Sequence, residues 1–230
     1  MSTPLTSGPR TEAFPLLTPG GTDLVYGAAW GTAPNLHLQS LTTGKDVALL
    51  PADSFQVPQD LSPDGTQVLY AEQKERGPWE LRMLSLADRG SSRALFSVGE
   101  HGEARLSPDG RWVVFMWNTD GKDEAYLAPV SGARPPVRVS DGEVVAVRWP
   151  RERQEVVYLG RDSRVWVVPV RAGGEPKVGR PQVLFRLPPG ERWLDFDVTP
   201  DGEKFLAAVP TVVGDMFPLE VLVHATPARR

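Results

Sequence analysis

Seven side chains hold the candidate chemistry of this chain: Asp60, His101, Glu103, Arg105, Arg148, Asp195 and Asp197. Two carboxylates facing each other across a cleft can act as acid and base, as they do in glycoside hydrolysis. Asp60, Glu103, Asp195 and Asp197 are the suppliers available for such a pair. The same carboxylates alternating with Arg105 and Arg148 would instead form a polar rim that holds a small anion or a peptide end. His101 lies in Gly99-Glu100-His101-Gly102-Glu103, at a junction between repeats where it could meet the same ligand.

Spacing ties several of these residues together. Leu16, Asp60, Arg105, Val147 and Asp197 each stand three residues before a proline that opens a turn. Asp60 and Arg105 therefore occupy one position in neighbouring repeats. An ion pair between them is expected, of little net value once desolvation is counted.

Much other chemistry is missing. The chain has no Cys, which excludes disulfides, thiolate-bound metals and thiol catalysis. It has no His-Glu-x-x-His, Gly-x-Ser-x-Gly, Walker-type or dinucleotide-binding motif. His37 and His224 fall in strand-like runs and read as packing residues. Asn118, Asp120, Asp123 and Glu124 lack the alternating oxygen ligands of a calcium loop, and Asp120-Gly121 reads as a hairpin turn. No metal or cofactor is expected.

A net charge of -4, from 25 basic and 29 acidic residues, argues against a nucleic-acid partner. No apolar run approaches the roughly 20 residues of a membrane span. Met1 to Arg10 lacks the charged-then-apolar layout of a signal peptide. The expectation is a soluble chain that neither inserts into a membrane nor carries its own export signal.

The elements that must position the seven residues are legible in a repeat. Leu61-Ser62-Pro63-Asp64-Gly65 returns as Leu106-Ser107-Pro108-Asp109-Gly110 and as Val198-Thr199-Pro200-Asp201-Gly202. Leu17-Thr18-Pro19-Gly20-Gly21 and Arg148-Trp149-Pro150-Arg151-Glu152 are degenerate copies. The prolines at 19, 63, 108, 150 and 200 are 44, 45, 42 and 50 residues apart. A beat of about 45 residues is the size of one four-stranded propeller blade. Gly (22) and Pro (23) together make up a fifth of the 230 residues, and much of that load is this turn punctuation.

Between the turns run short strands. A β run ending in an aromatic comes first: Leu24-Val25-Tyr26, Val68-Leu69-Tyr70, Val113-Val114-Phe115 and Val156-Val157-Tyr158. Alternating third runs follow, such as Leu36-His37-Leu38 and Val165-Trp166-Val167, and then short closing runs such as Val183-Leu184-Phe185. Trp112, Trp149, Trp166 and Trp193 fall in or beside strands and should fill the space between sheets. Trp30, Trp79 and Trp117, near hairpin ends, are the alternative aromatic surface.

The expected fold is all-β, a single β-propeller of four-stranded antiparallel blades, with blade units at about 12–55, 56–99, 100–143, 144–190 and 191–230. The last unit has no fourth run, whereas residues 4–8 precede the first unit unassigned. Residues 4–8 are expected to become the outer strand of the last blade and close a ring of five.

The Ser-Pro-Asp-Gly repeats followed by β runs resemble TolB-like, WD-repeat-like propellers of bacteria. From Leu106 to Val223 the chain carries "LSPDGRWVVFMWNTDGKDEAYLAPV", "VWVVPV", "GRPQVLF", "FDVTPDGEKFLAAVP" and "PLEVLVHAT". That order is similar to the C-terminal propeller of bacterial membrane-anchored serine/threonine kinases. The chain departs from the pattern in the fourth unit, where Pro150-Arg151-Glu152-Arg153-Gln154 replaces the Asp-Gly turn and is one residue longer. It also has no kinase signature, neither a Gly-rich phosphate loop nor a His-Arg-Asp loop.

The resemblance implies an extracytoplasmic, non-catalytic scaffold or sensor that binds a protein or peptide in a bacterial signalling or envelope system. Two alternatives stand beside it. One is a small-ligand or glycoside-hydrolase-like site at the channel mouth. The other is a partial propeller completed by oligomerisation, since TolB-like rings commonly have six blades. A monomer is the expectation, with a strand-exchanged dimer as its alternative.

Overall fold

A computed structural model describes residues 10–29, 33–89, 91–99, 102–171, 176–187, 195–210 and 219–225. The chain divides into two compact units, Met1–His101 and Gly102–Arg230. Among the described residues all regular structure is β, and no helix is long and apolar enough to cross a membrane.

In the first unit, β1 (Thr11–Leu17), β2 (Asp23–Ala29), β3 (Asn35–Ser40) and β4 (Asp46–Ala48) form one antiparallel sheet in chain order. β5 (Phe55–Leu61), β6 (Gln67–Gln73), β7 (Trp79–Ser85) and β8 (Ser92–Gly99) form a second. A core of Val25, Leu36, Leu49, Leu61, Val68, Tyr70 and Leu84 joins the two.

The second unit holds three sheets. β9 (Ala104–Leu106), β10 (Trp112–Thr119), β11 (Lys122–Pro129) and β12 (Val137–Arg138) make the first. β13 (Val144–Arg148), β14 (Glu155–Gly160) and β15 (Arg164–Arg171) make the next, with β16 (Lys177–Val178) and β17 (Gln182–Arg186) both paired to β15. β18 (Asp195–Val198), β19 (Lys204–Pro210) and β20 (Leu219–Ala225) make the last. Residues 4–8, the expected closing strand, lie outside the described residues.

The turn signature works as a hydrogen-bond device. Ser62 Oγ donates to Asp64 Oδ1 at 2.6 Å and accepts from the Gln67 N–H at 2.9 Å, while the Gly65 N–H reaches Ser62 O at 2.8 Å. Ser107 repeats this with Asp109, Trp112 and Gly110, and Thr199 with Asp201, Lys204 and Gly202. The glycine is required because it takes positive φ, +69° at Gly65. The expected Asp120-Gly121 hairpin also has both central residues at positive φ, the condition for a tight two-residue turn.

The aromatic that ends each second-strand run is buried: Tyr26, Tyr70, Phe115 and Tyr158 are among the largest fully covered side chains. Burying such a body favours the fold only if its hydroxyl finds a partner. Arg10 donates to Tyr26 Oη at 3.1 Å, Arg82 Nε to Tyr70 Oη at 3.2 Å, and the Asp141 N–H to Tyr158 Oη at 3.1 Å. Burial pushes the Tyr158 phenol up to about 12. Trp112 and Trp149 are buried in the core joining the first two sheets of the second unit, and Trp166 packs against it.

One element differs from expectation. The fourth repeat closes with two short strands where a single run at Val183-Leu184-Phe185 was expected. β16 pairs with Val170 and Arg171, and β17 with Arg164 to Val167. The break falls opposite Pro169, which has no N–H to offer an outer strand. Gly179 packs on that ring so closely that a Cβ would lie 3.1 Å from Pro169 Cδ.

Candidate functional site

The first strands of the three sheets in the second unit lie side by side, with β13 between β9 and β18. Their ends bring Glu103, Arg105, Arg148 and Asp197 into one cluster. Glu103 is placed by its backbone, whose carbonyl accepts from the Met116 N–H at 2.9 Å. Gly102 permits that approach: a Cβ there would sit 2.7 Å from Met116 Cβ.

Arg148, with only 6% of its side chain exposed, is the centre of the cluster. Its Nη1 donates to Glu103 Oε2 at 2.6 Å and to Val147 O at 2.8 Å. Its Nε donates to Asp197 Oδ1 at 3.2 Å, and its guanidinium carbon lies 5.1 Å from the centre of the Phe196 ring. Glu103 Oε2 also accepts the Val147 N–H at 3.0 Å. Arg105 Nη2 reaches Glu103 Oε1 at 3.4 Å while its Nη1 donates to Ala104 O at 2.9 Å. One buried guanidinium thus holds a carboxylate from each flanking sheet. Such a pair offsets its own desolvation only with this many hydrogen bonds around it.

The other expected site residues fall differently. Asp60, at the end of β5 in the first unit, is buried, and its Oδ1 accepts the Leu61 N–H at 2.8 Å. Asp197 Oδ1 does the same with the Val198 N–H at 2.9 Å, so the shared position has a shared backbone role. Asp195, the first residue of β18, pairs with Ala208 of β19. His101 lies outside the described residues.

The departure in the fourth repeat has a structural role. Trp149 stands where the other turns carry Ser or Thr, and its indole N–H donates to Arg153 O at 3.2 Å. Arg153 then reaches the next turn, donating to Asp201 O and Glu203 Oε1, while the Glu152 N–H donates to Pro200 O at 2.9 Å. The longer turn of one sheet grips the Asp-Gly turn of the following one.

A second polar cluster, in the first unit, was not anticipated from the sequence. His37, read there as a packing residue, is buried with Nδ1 3.1 Å from Asp46 Oδ1 and 3.3 Å from Arg10 Nη1. Arg10 also pairs with Asp46 at 2.7 Å and with Glu12 at 3.3 Å. Burial opposes ionisation of Asp46, but the Arg10 and His37 hydrogen bonds outweigh it and hold the carboxyl below the usual range. Burial, with Asp46 alongside, pushes the Tyr26 phenol up to about 12. The available signal was the facing of Tyr26 and His37 across β2 and β3, which requires the strand register.

The acidic hairpin after β10 is engaged internally. Asn118 Nδ2 donates to Asp123 Oδ1 at 2.9 Å, and Glu124 accepts from Tyr126, Thr119 and Arg138. Among the described residues, no group of three or more His, Asp or Glu side chains is placed to hold a metal ion.

No protein-family model matches the chain. It is similar to the crystal structure of TolB from Acinetobacter baumannii, with a TM-score of 0.71 at 19% identity over 96% of this chain and 53% of that one. A putative TolB from Agrobacterium tumefaciens matches with a TM-score of 0.58 at 20% identity, over 74% of this chain and 64% of that one. An oligogalacturonate lyase in complex with manganese matches with a TM-score of 0.62 at 16% identity, over 89% and 61%. The chain thus spans about half the length of the first of these proteins and under two thirds of the others. The repeated turns, the consecutive antiparallel sheets and these likenesses together establish the fold as that of a TolB-like β-propeller.

Proposed function

We propose that this chain is a non-catalytic binding module of a bacterial envelope or signalling system, presenting loops from a rigid propeller to a protein or peptide. The observation that carries the reading is the shared guanidinium of Arg148. Glu103 and Asp197, two of the carboxylates an acid–base pair would draw on, both bond to it. A hydrolase needs one carboxyl protonated and the other free to attack or to activate water. A guanidinium bonded to both carboxylates instead fixes each of them in place as an acceptor. Loops held by sheets anchored in this way suit recognition.

The test couples the purified chain to a resin, exposes it to bacterial envelope extract with a reversible cross-linker, and quantifies captured proteins against a heat-unfolded control. A saturable partner specific to the folded chain is expected, and its absence would count against the module. A parallel panel of glycosides and oligouronides should show no turnover. Turnover that disappears in Glu103→Gln would replace the binding reading with the enzymatic one.

A further inference from the structure

The last sheet has two unlike faces. Phe196 and Phe205 are buried in a cluster with Val157, Leu159 and Val167 of the preceding sheet. Leu206, next along the strand, is 42% exposed, and the Asp197 side chain is 69% exposed. Asp197 and Leu206 are partners across the β18–β19 ladder, so they share the outward face. They line an open depression of about 420 Å³ together with Pro200 and Lys204, and its lining extends to Val198 and Phe205, whose side chains pack on the preceding sheet. Its apolar wall with a few polar groups matches the composition of small-ligand sites.

The Asp197 carboxylate is oriented without being used up. Oδ1 is taken by Arg148 Nε and the Val198 N–H. Among the described residues, Oδ2 has no partner. Lys204 is held through its backbone N–H, which donates to Thr199 Oγ1 at 3.0 Å, and, secondary to the Thr199 hydrogen bond, its charge helps to hold the Asp201 carboxyl below the usual range. A fixed acceptor and an apolar wall therefore meet in one place, with Lys204 also on the lining.

We propose that this depression takes the amino-terminal residue of a peptide when that residue is apolar, with its α-ammonium on Asp197 Oδ2. The inference rests on the binding-module reading and names a ligand class for it. The closeness of the two recognition elements selects the ligand. Facing residues on a sheet have Cβ atoms about 5 Å apart, so the ligand's cation and apolar group must sit equally close. An α-ammonium is bonded to the same carbon that carries the side chain. The cation of an internal Lys or Arg lies several bonds further out.

Fluorescence anisotropy of the full chain with a hexapeptide labelled at its C-terminal lysine tests this. Three probes are compared: a free amino-terminal Leu, the same peptide N-acetylated, and a free amino-terminal Ser. Acetylation should weaken binding about tenfold or more, since it removes a charge-assisted hydrogen bond. The Ser peptide should bind about tenfold more weakly because the apolar wall is left empty. Asp197→Asn should abolish the preference for the free amine. Because Asp197 also braces Arg148, Leu206→Lys serves as a second variant on the exposed face, and it should weaken the Leu peptide about tenfold with unchanged thermal stability.

Equal affinity for the free and acetylated peptides would overturn the proposal, as would no binding at millimolar peptide or full binding by both variants. If Leu206→Lys binds none of the peptides yet still captures the envelope partner, the module stands and this site is its peptide pocket. If the wild type captures a partner but binds no peptide, this inference alone falls.

Discussion

Arg148 Nη1 lies 2.6 Å from Glu103 Oε2, and the two residues stand 45 positions apart, one beat of the repeat. The same guanidinium reaches Asp197, 49 positions further on. Three consecutive sheets are thus pinned through one side chain. Arg148→Ala should cost about 2–4 kcal/mol in urea denaturation, in the lower range for a broken buried pair because both carboxylates keep some water. Double-mutant cycles should show a stronger coupling of Arg148 to Glu103 than to the exposed Asp197. No coupling to either carboxylate would remove Arg148 as the pin.

Two glycines with one backbone angle separate strain from crowding. Gly44 and Gly65 both have φ of +69°, but a Cβ at Gly44 meets nothing within 4 Å, whereas one at Gly65 lies 3.0 Å from Pro19 Cδ. Gly44→Ala should cost about 1 kcal/mol for the angle alone. Gly65→Ala should cost roughly twice that, because the Pro19 ring must also give way. Matching urea midpoints for the two variants would contradict the contact.

Acid should weaken the first sheet through Asp46. Its carboxyl is held below the usual aspartate range by Arg10 and His37, against the opposing effect of burial. A depressed carboxyl contributes stability that is present above its unfolded value, about 3.9, and is lost as pH falls through the lower folded value. Asp46→Asn should therefore be less stable than wild type at pH 7, with the gap closing below about pH 4. A gap that stayed constant from pH 7 to pH 3 would show that the carboxylate charge is not what matters there.

The grip of Arg153 on the following turn should be local. Arg153 is partly exposed, so Arg153→Ala should cost less than about 1 kcal/mol globally. Hydrogen exchange should nevertheless quicken in the Thr199–Lys204 turn, where Arg153 meets Asp201 and Glu203, and stay unchanged in β14 and β15. Uniform quickening across the unit would argue for a global role instead.

The repeat made the strands legible because each turn is a local device, with Ser62, Asp64, Gly65 and Gln67 meeting within six residues. The buried aromatics were legible for the same reason, since Tyr26, Tyr70, Phe115 and Tyr158 end runs of fixed length. The partners of the site were harder to read. Spacing singled out Arg105 and Asp197 but neither Glu103 nor Arg148, and it gave none of the pairing among them. Arg148 stands two residues before its proline, where Asp60, Arg105 and Asp197 stand three, so counting positions passes it over. The Arg10–Asp46 cluster draws on all four strands of one sheet, and only the register brings those side chains together.

The divided edge of β15 bears on how the protein behaves among its own copies. An outer strand offers a row of unsatisfied backbone groups that can template a foreign strand. On this sheet the row is split between a two-residue and a five-residue strand, with Pro169, which has no N–H to donate, opposite the junction. Elsewhere β4 has three residues and β12 two, and the longer β8 is broken twice by register shifts against β7. None of these rims presents a long, regular ladder to a neighbour. These four rims therefore give a neighbouring copy little backbone ladder to extend.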